Sequence, residues 1–171
     1  MRVTANDLIV RLGLKPLPIE GGYFRETYRS ETSLPAAKRS KRPGAKKPLS
    51  TAILYLLTAE PDCFSALHKL PGDELYHFYL GDPVEMLLLY ARGRGERVVL
   101  GTDVCGEQRA QLAVPGGVWQ GARLMAGGSF ALLGTTMAPG FQPGDYVGGV
   151  RHKLIDEYPA QADLIRQLTR G

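Results

Sequence analysis

Between Ser50 and Met137 the chain alternates short apolar runs with breaks rich in Pro, Gly and Asp. Runs this short, so regularly interrupted, predict strands rather than helices. They are Ala52–Leu57, Phe64–His68, Leu75–Leu80, Val84–Tyr90, Arg97–Leu100, Gln111–Val114, Val118–Leu124 and Ser129–Met137. An earlier strand, near Tyr23–Arg29, follows a stiff connector whose Gly21-Gly22 pair permits a bulge or tight bend. Helical spacing is confined to the two ends. Thr4 can cap a short helix in which Leu8, Ile9 and Leu12 form a stripe and Gly13 provides the stop. Near the C-terminus, Ala160 to Leu168 places Leu164, Ile165 and Leu168 on one side. Many short strands with helices only at the ends argue for an all-β, sandwiched or closed antiparallel fold. No internal repeat divides the 171 residues, so residues 1–171 read as one domain.

Composition adds little to this picture until the charge is resolved along the chain. Hydrophobic residues make up 44% and charged residues 22%, ordinary for a domain with a core. The formal net charge is +4, but the stretch Lys38–Lys47 alone carries six basic residues and no acidic one. Without it the charge becomes −2, so the rest of the chain is mildly acidic. The stretch has no aromatic for base stacking, and it reads as part of a solvated, flexible loop over residues 33–48 rather than a nucleic-acid face. No apolar run approaches the roughly 18 residues of a membrane helix, and Met1 to Asp7 lacks the apolar run of a secretory signal. Cys63 and Cys105 have no metal-binding spacing and are expected as free thiols in a reducing compartment. The expectation is a cytoplasmic protein that engages neither nucleic acid nor membrane.

The candidate chemistry gathers around His68-Lys-Leu-Pro-Gly-Asp-Glu74. By period two, Phe64, Ala66 and His68 share a face. If that face is interior, His68 enters a cavity, where an imidazole can act as a base, ligate a metal or donate a hydrogen bond; the alternative is a histidine satisfied by a backbone carbonyl. Glu74 opens the next strand; if it faces in, Asp73 faces solvent and Tyr76 and Phe78 line the same wall. A buried carboxylate is costly unless paired. His77 alternates to the opposite face. Gln120 can bond a polar ligand but is a weak metal donor, and Trp119 beside it is a candidate wall. Around the first strand, Glu20, Tyr23 and Arg25 are candidate ligand contacts, with Arg25 either gripping an anion or pairing with Glu26 or Glu31. Core packing is the default for Phe141 and Tyr146.

These residues also carry a family resemblance. His68 to Glu74, then six residues and Gly81, resembles the first cupin motif, and Pro115-Gly-Gly-Val-Trp-Gln120 resembles the second. Leu12-Gly-Leu14, Glu20-Gly-Gly-Tyr-Phe-Arg-Glu-Thr27, Asp73-Glu-Leu-Tyr-His-Phe-Tyr79 and Ala138-Pro-Gly-Phe141 are similar to one subfamily of small single-domain cupins without settled function. The resemblance implies a double-stranded β-helix, or jelly-roll barrel, with short N- and C-terminal helices, a ligand cavity inside the barrel and a homodimer. Cupins hold a divalent metal through three His and one Glu. The matching positions here are His68, Leu70, Glu74 and Gln120, so two imidazoles are replaced. No cofactor is therefore expected; if a divalent metal binds, it does so through His68, Glu74 and Gln120.

The resemblance to metal-free deoxysugar-nucleotide epimerases implies that His68 could act as a base, with Glu74 as its partner. The expected activity is binding of a small polar, carbohydrate-like metabolite, with epimerase or isomerase proton transfer. A non-catalytic ligand-binding or sensor module is the second reading and a mononuclear metal-dependent enzyme the third.

Overall fold

A computed structural model describes residues 3–35 and 46–170. The chain opens with α1 (Ala5–Leu12), held as its sequence predicts. Thr4 Oγ1 accepts the Asp7 amide at 3.2 Å while the Asp7 carboxylate accepts the Thr4 amide at 3.0 Å. Gly13 closes the helix in the left-handed region. Then follow β1 (Lys15–Pro16), β2 (Tyr23–Arg29), β3 (Ser33–Pro35), β4 (Lys46–Pro48), β5 (Thr51–Thr58), β6 (Ser65–Lys69), β7 (Glu74–Gly81) and β8 (Val84–Leu89). They are succeeded by β9 (Gly95–Leu100), β10 (Gln108–Arg109), β11 (Gln111–Val114), β12 (Trp119–Leu124), β13 (Phe130–Met137) and β14 (Val147–Gly148). Two helices, α2 (Arg151–Glu157) and α3 (Ala162–Gln167), complete the chain.

Twelve of these strands form two six-stranded sheets, ordered β1-β2-β5-β13-β7-β11 and β10-β9-β8-β12-β6-β14. Sequence neighbours repeatedly sit apart, which is the jelly-roll layout expected of the chain. The sheets face each other across one core. Tyr55, Leu57, Tyr76, Phe78, Ala131 and Leu133 come from the first sheet, and Val84, Met86, Leu88, Val98, Leu100 and Ala122 from the second.

The outer faces are covered too. Helix α1 lays Leu8 over Leu56 and Leu132 of the first sheet. Helices α2 and α3 lay Leu154, Leu164 and Ile165 over Leu67, Leu87 and Leu89 of the second. Double coverage explains why β8 reads as a nearly unbroken apolar run, Val84-Glu-Met-Leu-Leu-Leu89.

Three sequence expectations change here. Helix α2 was not expected: Arg151–Glu157 buries only Leu154, too little to mark a stripe. The segment 33–48 is not wholly a solvated loop, because its ends pair as β3 and β4. Most of its basic stretch, residues 36–45, lies outside the described residues. Arg25 pairs with neither Glu26 nor Glu31; Glu26 is held by Arg29 at 2.6 Å. Cys63 and Cys105 are free, as expected. Among the described residues no helix is long and apolar enough to cross a membrane.

Candidate functional site

At one end of the core the apolar packing gives way to a polar cluster built on β6, β7 and β12. Gln120 pairs with His68, but Ala122 pairs with Ser65, so β6 spends three residues where β12 spends two. This β-bulge turns Ser65 and His68 toward the cluster and leaves Phe64 and Leu67 among the residues facing the C-terminal helices. The period-two reading, which set Phe64 on the His68 face, fails at that bulge. On β7 the alternation holds. Glu74, Tyr76 and Phe78 point inward and are buried, while Asp73 is exposed and accepts the Gly116 amide at 2.8 Å.

His68, Glu74 and Gln120 are 1%, 7% and 1% exposed, so their mutual contacts decide their chemistry. His68 Nδ1 lies 2.8 Å from the Ala66 carbonyl oxygen. A carbonyl only accepts, so Nδ1 carries a proton, and the ring in its neutral form presents a lone pair at Nε2. Gln120 Nε2 donates to Glu74 Oε2 at 2.7 Å and, more weakly, to His68 Nε2 at 3.4 Å. The carboxylate oxygen of Glu74 accepts, which sets the amide orientation. Gln120 Oε1 is left buried with no hydrogen-bond partner.

A second carboxylate approaches from the turn before β2. Glu20 Oε2 lies 3.9 Å from His68 Nε2, and Ser65 Oγ donates to Glu20 Oε1 at 2.6 Å. The Glu20 carbonyl accepts the Ala66 amide at 2.8 Å, which ties that turn to β6. Tyr146 closes the cluster. Its ring stacks on His68 with centroids 5.1 Å apart and planes 18° apart. Its position follows from β14, which pairs Gly148 with His68.

Burial raises the Glu74 carboxyl above its ordinary value, and the Glu20 charge adds to this. His68, Thr135 and Gln120 pull it back. Tyr76 and Tyr55 are fully buried phenols held well above their ordinary range, chiefly by desolvation. Burial and Glu20 push the Tyr146 phenol up to about 12, so it stays protonated at neutral pH.

The remaining candidates lie elsewhere. His77 sits on the outer face of β7, bonding Thr136 Oγ1 at 3.2 Å and Gln111 Nε2 at 3.0 Å. Tyr23 and Arg25 register against Leu56 and Leu54, whose side chains pack on the outer face. Tyr23 donates to Glu60 Oε2 at 3.1 Å. Trp119 packs outside with the C-terminal helices, under the Lys69 ammonium at 4.4 Å. These four therefore do not line the interior with His68, and Trp119 is no wall of it. Two surface grooves, of about 340 and 430 Å³, meet at Glu60, Pro61 and Cys63, and neither is lined by His68 or Glu74.

Among the described residues no three His, Cys, Asp or Glu side chains are placed to hold an ion. Leu70 offers no donor where the second imidazole would stand, and Gln120 turns its NH2, a donor, toward both Glu74 and His68. The donor set does not fit a resident divalent metal.

A family model described as Cupin superfamily (DUF985) matches residues 6–147. The chain belongs to this cupin family. An uncharacterized Saccharomyces cerevisiae protein is 28% identical over 135 residues, covering 74% of this chain and 66% of that protein, just under two thirds of its length. A hypothetical Leishmania major protein of known structure is 28% identical with a TM-score of 0.87, covering 99% of this chain and 100% of that one. A Shewanella oneidensis protein is 29% identical with a TM-score of 0.83, covering 99% of each chain. More distant barrels share the fold alone. One is a dTDP sugar isomerase from Desulfovibrio desulfuricans (16% identity, TM-score 0.51, 74% of this chain and 83% of that one). Another is a Bacillus subtilis oxalate decarboxylase mutant (13% identity, TM-score 0.51, 87% of this cupin and 36% of that chain).

Sequence reasoning gave His68, Glu74 and Gln120 their central place but took Glu74 as the nearest carboxylate to the imidazole and left Glu20 among the ligand contacts. The Glu20-Gly-Gly phrase was the available signal. Tyr146 was read as core packing, and nothing in its Gly- and Pro-rich surroundings marks it for the cluster.

Proposed function

We propose that this cupin binds a small polar, carbohydrate-like metabolite inside its barrel and that His68 is the base of an epimerase- or isomerase-type proton transfer. The observation that carries this reading is the locked imidazole. With Nδ1–H given to the Ala66 carbonyl, Nε2 is the acceptor nitrogen of a buried ring whose orientation is fixed, held only by a long 3.4 Å contact from Gln120. Glu20 and Glu74 stabilise the imidazolium that forms when Nε2 takes a proton from a carbon next to a carbonyl; the electron pair moves to the carbonyl oxygen. Tyr146, protonated and stacked on the ring, is the candidate donor to that oxygen once its hydroxyl leaves the Ile19 carbonyl, 3.4 Å away. No step requires a metal.

The test is exchange of solvent deuterium into a panel of free keto-sugars and amino-keto-sugars. Incorporation that disappears in His68→Asn is expected; incorporation unaffected by that change, or none from any substrate, removes the base role. A pure binding module would instead raise the melting temperature with ligand and exchange nothing. A homodimer in the cytoplasm completes the proposal, and light scattering tests the assembly.

A further inference from the structure

The polar cluster has an imbalance that bears on what the barrel can hold. This inference rests on the reading that a ligand binds beside His68. His68 Nε2 offers a lone pair, Glu20 and Glu74 offer carboxylate oxygens, and Gln120 Oε1 is buried with nothing donating to it. Both protons of the Gln120 amide are already directed at acceptors. The Tyr55 hydroxyl is spent on the Gly21 carbonyl at 2.9 Å, and the Tyr146 hydroxyl faces the Ile19 carbonyl at 3.4 Å. Ser65 gives its hydroxyl to Glu20, and Thr135 and Tyr76 bond Glu74, so the donors of the cluster are committed while Gln120 Oε1 is left with none.

Charge points the same way. Among the described residues the buried ionisable side chains include His68 and Glu74 but no lysine or arginine. Arg170, whose guanidinium lies against this region, is exposed and directed at the backbone carbonyls of Glu20 and Asp62 and at the Phe64 ring. Two carboxylates with no buried lysine or arginine beside them disfavour an anion, and the low-dielectric surroundings strengthen that effect. A ligand cation would set an opposite charge beside the buried Glu74 carboxylate and supply the proton that Gln120 Oε1 lacks.

We propose that the barrel site selects a protonated amine on a polyhydroxylated carrier, an amino-sugar-like molecule, and rejects phosphorylated or carboxylated sugars. The ammonium sits between Glu20 and Glu74, and its hydrogens reach Gln120 Oε1.

The test follows the His68 imidazole signals of the full-length protein by 15N NMR during titration. Glucosamine is the probe, with N-acetylglucosamine, glucose and glucose 6-phosphate as matched comparisons. Methylammonium and inorganic phosphate probe the site free of any carrier. Glucosamine and methylammonium should shift His68 saturably. N-acetylglucosamine and glucose should bind at least tenfold more weakly, and phosphate and glucose 6-phosphate not at all. Glu20→Gln keeps an acceptor oxygen for Ser65 and should cut glucosamine affinity at least tenfold while the melting temperature holds. Equal binding of glucosamine and glucose, an unaltered affinity in Glu20→Gln, or saturable shifts with either phosphate-bearing probe overturns the amine assignment while leaving a ligand site at His68. Silence of His68 toward every probe overturns both the assignment and the reading beneath it.

Discussion

Gly21 is the joint between the β2 turn and the polar cluster, and replacing it with alanine should cost more than any ordinary turn glycine. Its φ is +108°, outside the range L-residues favour. A Cβ built there would sit 2.1 Å from the Phe64 carbonyl oxygen, a backbone atom that cannot swing away. The φ penalty alone is about 1–3 kcal/mol. The collision must also move the turn, loosening two contacts of Glu20: the Ala66 amide to its carbonyl and the Ser65 hydroxyl to its carboxylate. Those are worth about 0.5–1.5 kcal/mol for the neutral bond and about 1.5–3 kcal/mol for the charged one.

The lower ends together give about 3 kcal/mol, or a fall of roughly 6–12 °C in Tm for a chain of this size. Gly117 supplies the control. Its φ is +85°, and nothing lies within 4 Å of a built Cβ. Gly117→Ala should therefore cost only the backbone term, about 1–2 kcal/mol. Guanidinium denaturation of both variants measures the gap. A Gly21→Ala protein no less stable than Gly117→Ala would refute the close approach of this turn to β6.

Other consequences follow from burial and charge. Glu74 has its carboxyl raised by desolvation and by Glu20, so the folded protein holds a proton that the unfolded chain releases. Its stabilising contribution is present below the unfolded value of 4.5 and lost as pH rises through the higher folded value. Glu74→Gln should therefore gain stability relative to the parent as pH rises from 4.5, read by denaturation at a series of pH values; a gain that shrinks with pH contradicts the raised carboxyl. Ile165 is fully buried where α3 meets the second sheet, and Ile165→Ala should cost about 2–5 kcal/mol. A loss below 1 kcal/mol would mean α3 is loosely docked. Because the donor set does not fit a resident divalent metal, chelator should leave the melting temperature unchanged, whereas one tightly held metal per chain in elemental analysis would contradict the geometry.

The strands were legible because their burial is simple. The run Ala52–Leu57 falls inside β5, and Ser129–Met137 overlaps β13 almost completely, since turn residues bound both. The resemblance to the two cupin motifs likewise set His68, Glu74 and Gln120 together. The bulge in β6 was not legible: a single extra residue leaves no mark on composition, yet it separates Phe64 from His68. Helix α2 has one buried residue, and Tyr146 acquires its role only because β14 pairs across β6. Trp119 was misplaced for a related reason. With helices covering the second sheet, an aromatic can be half-buried on the outer face.

The central claim is that His68 presents the lone pair of Nε2 to a buried acidic cluster. Long-range 1H–15N spectra of the imidazole, assigned by comparison with His68→Asn, test it directly. The account predicts that the neutral ring carries its proton on Nδ1. A neutral ring protonated on Nε2 instead would mean that the Ala66 bond is absent, that no lone pair faces Glu20 and Glu74, and that the proposed base does not exist.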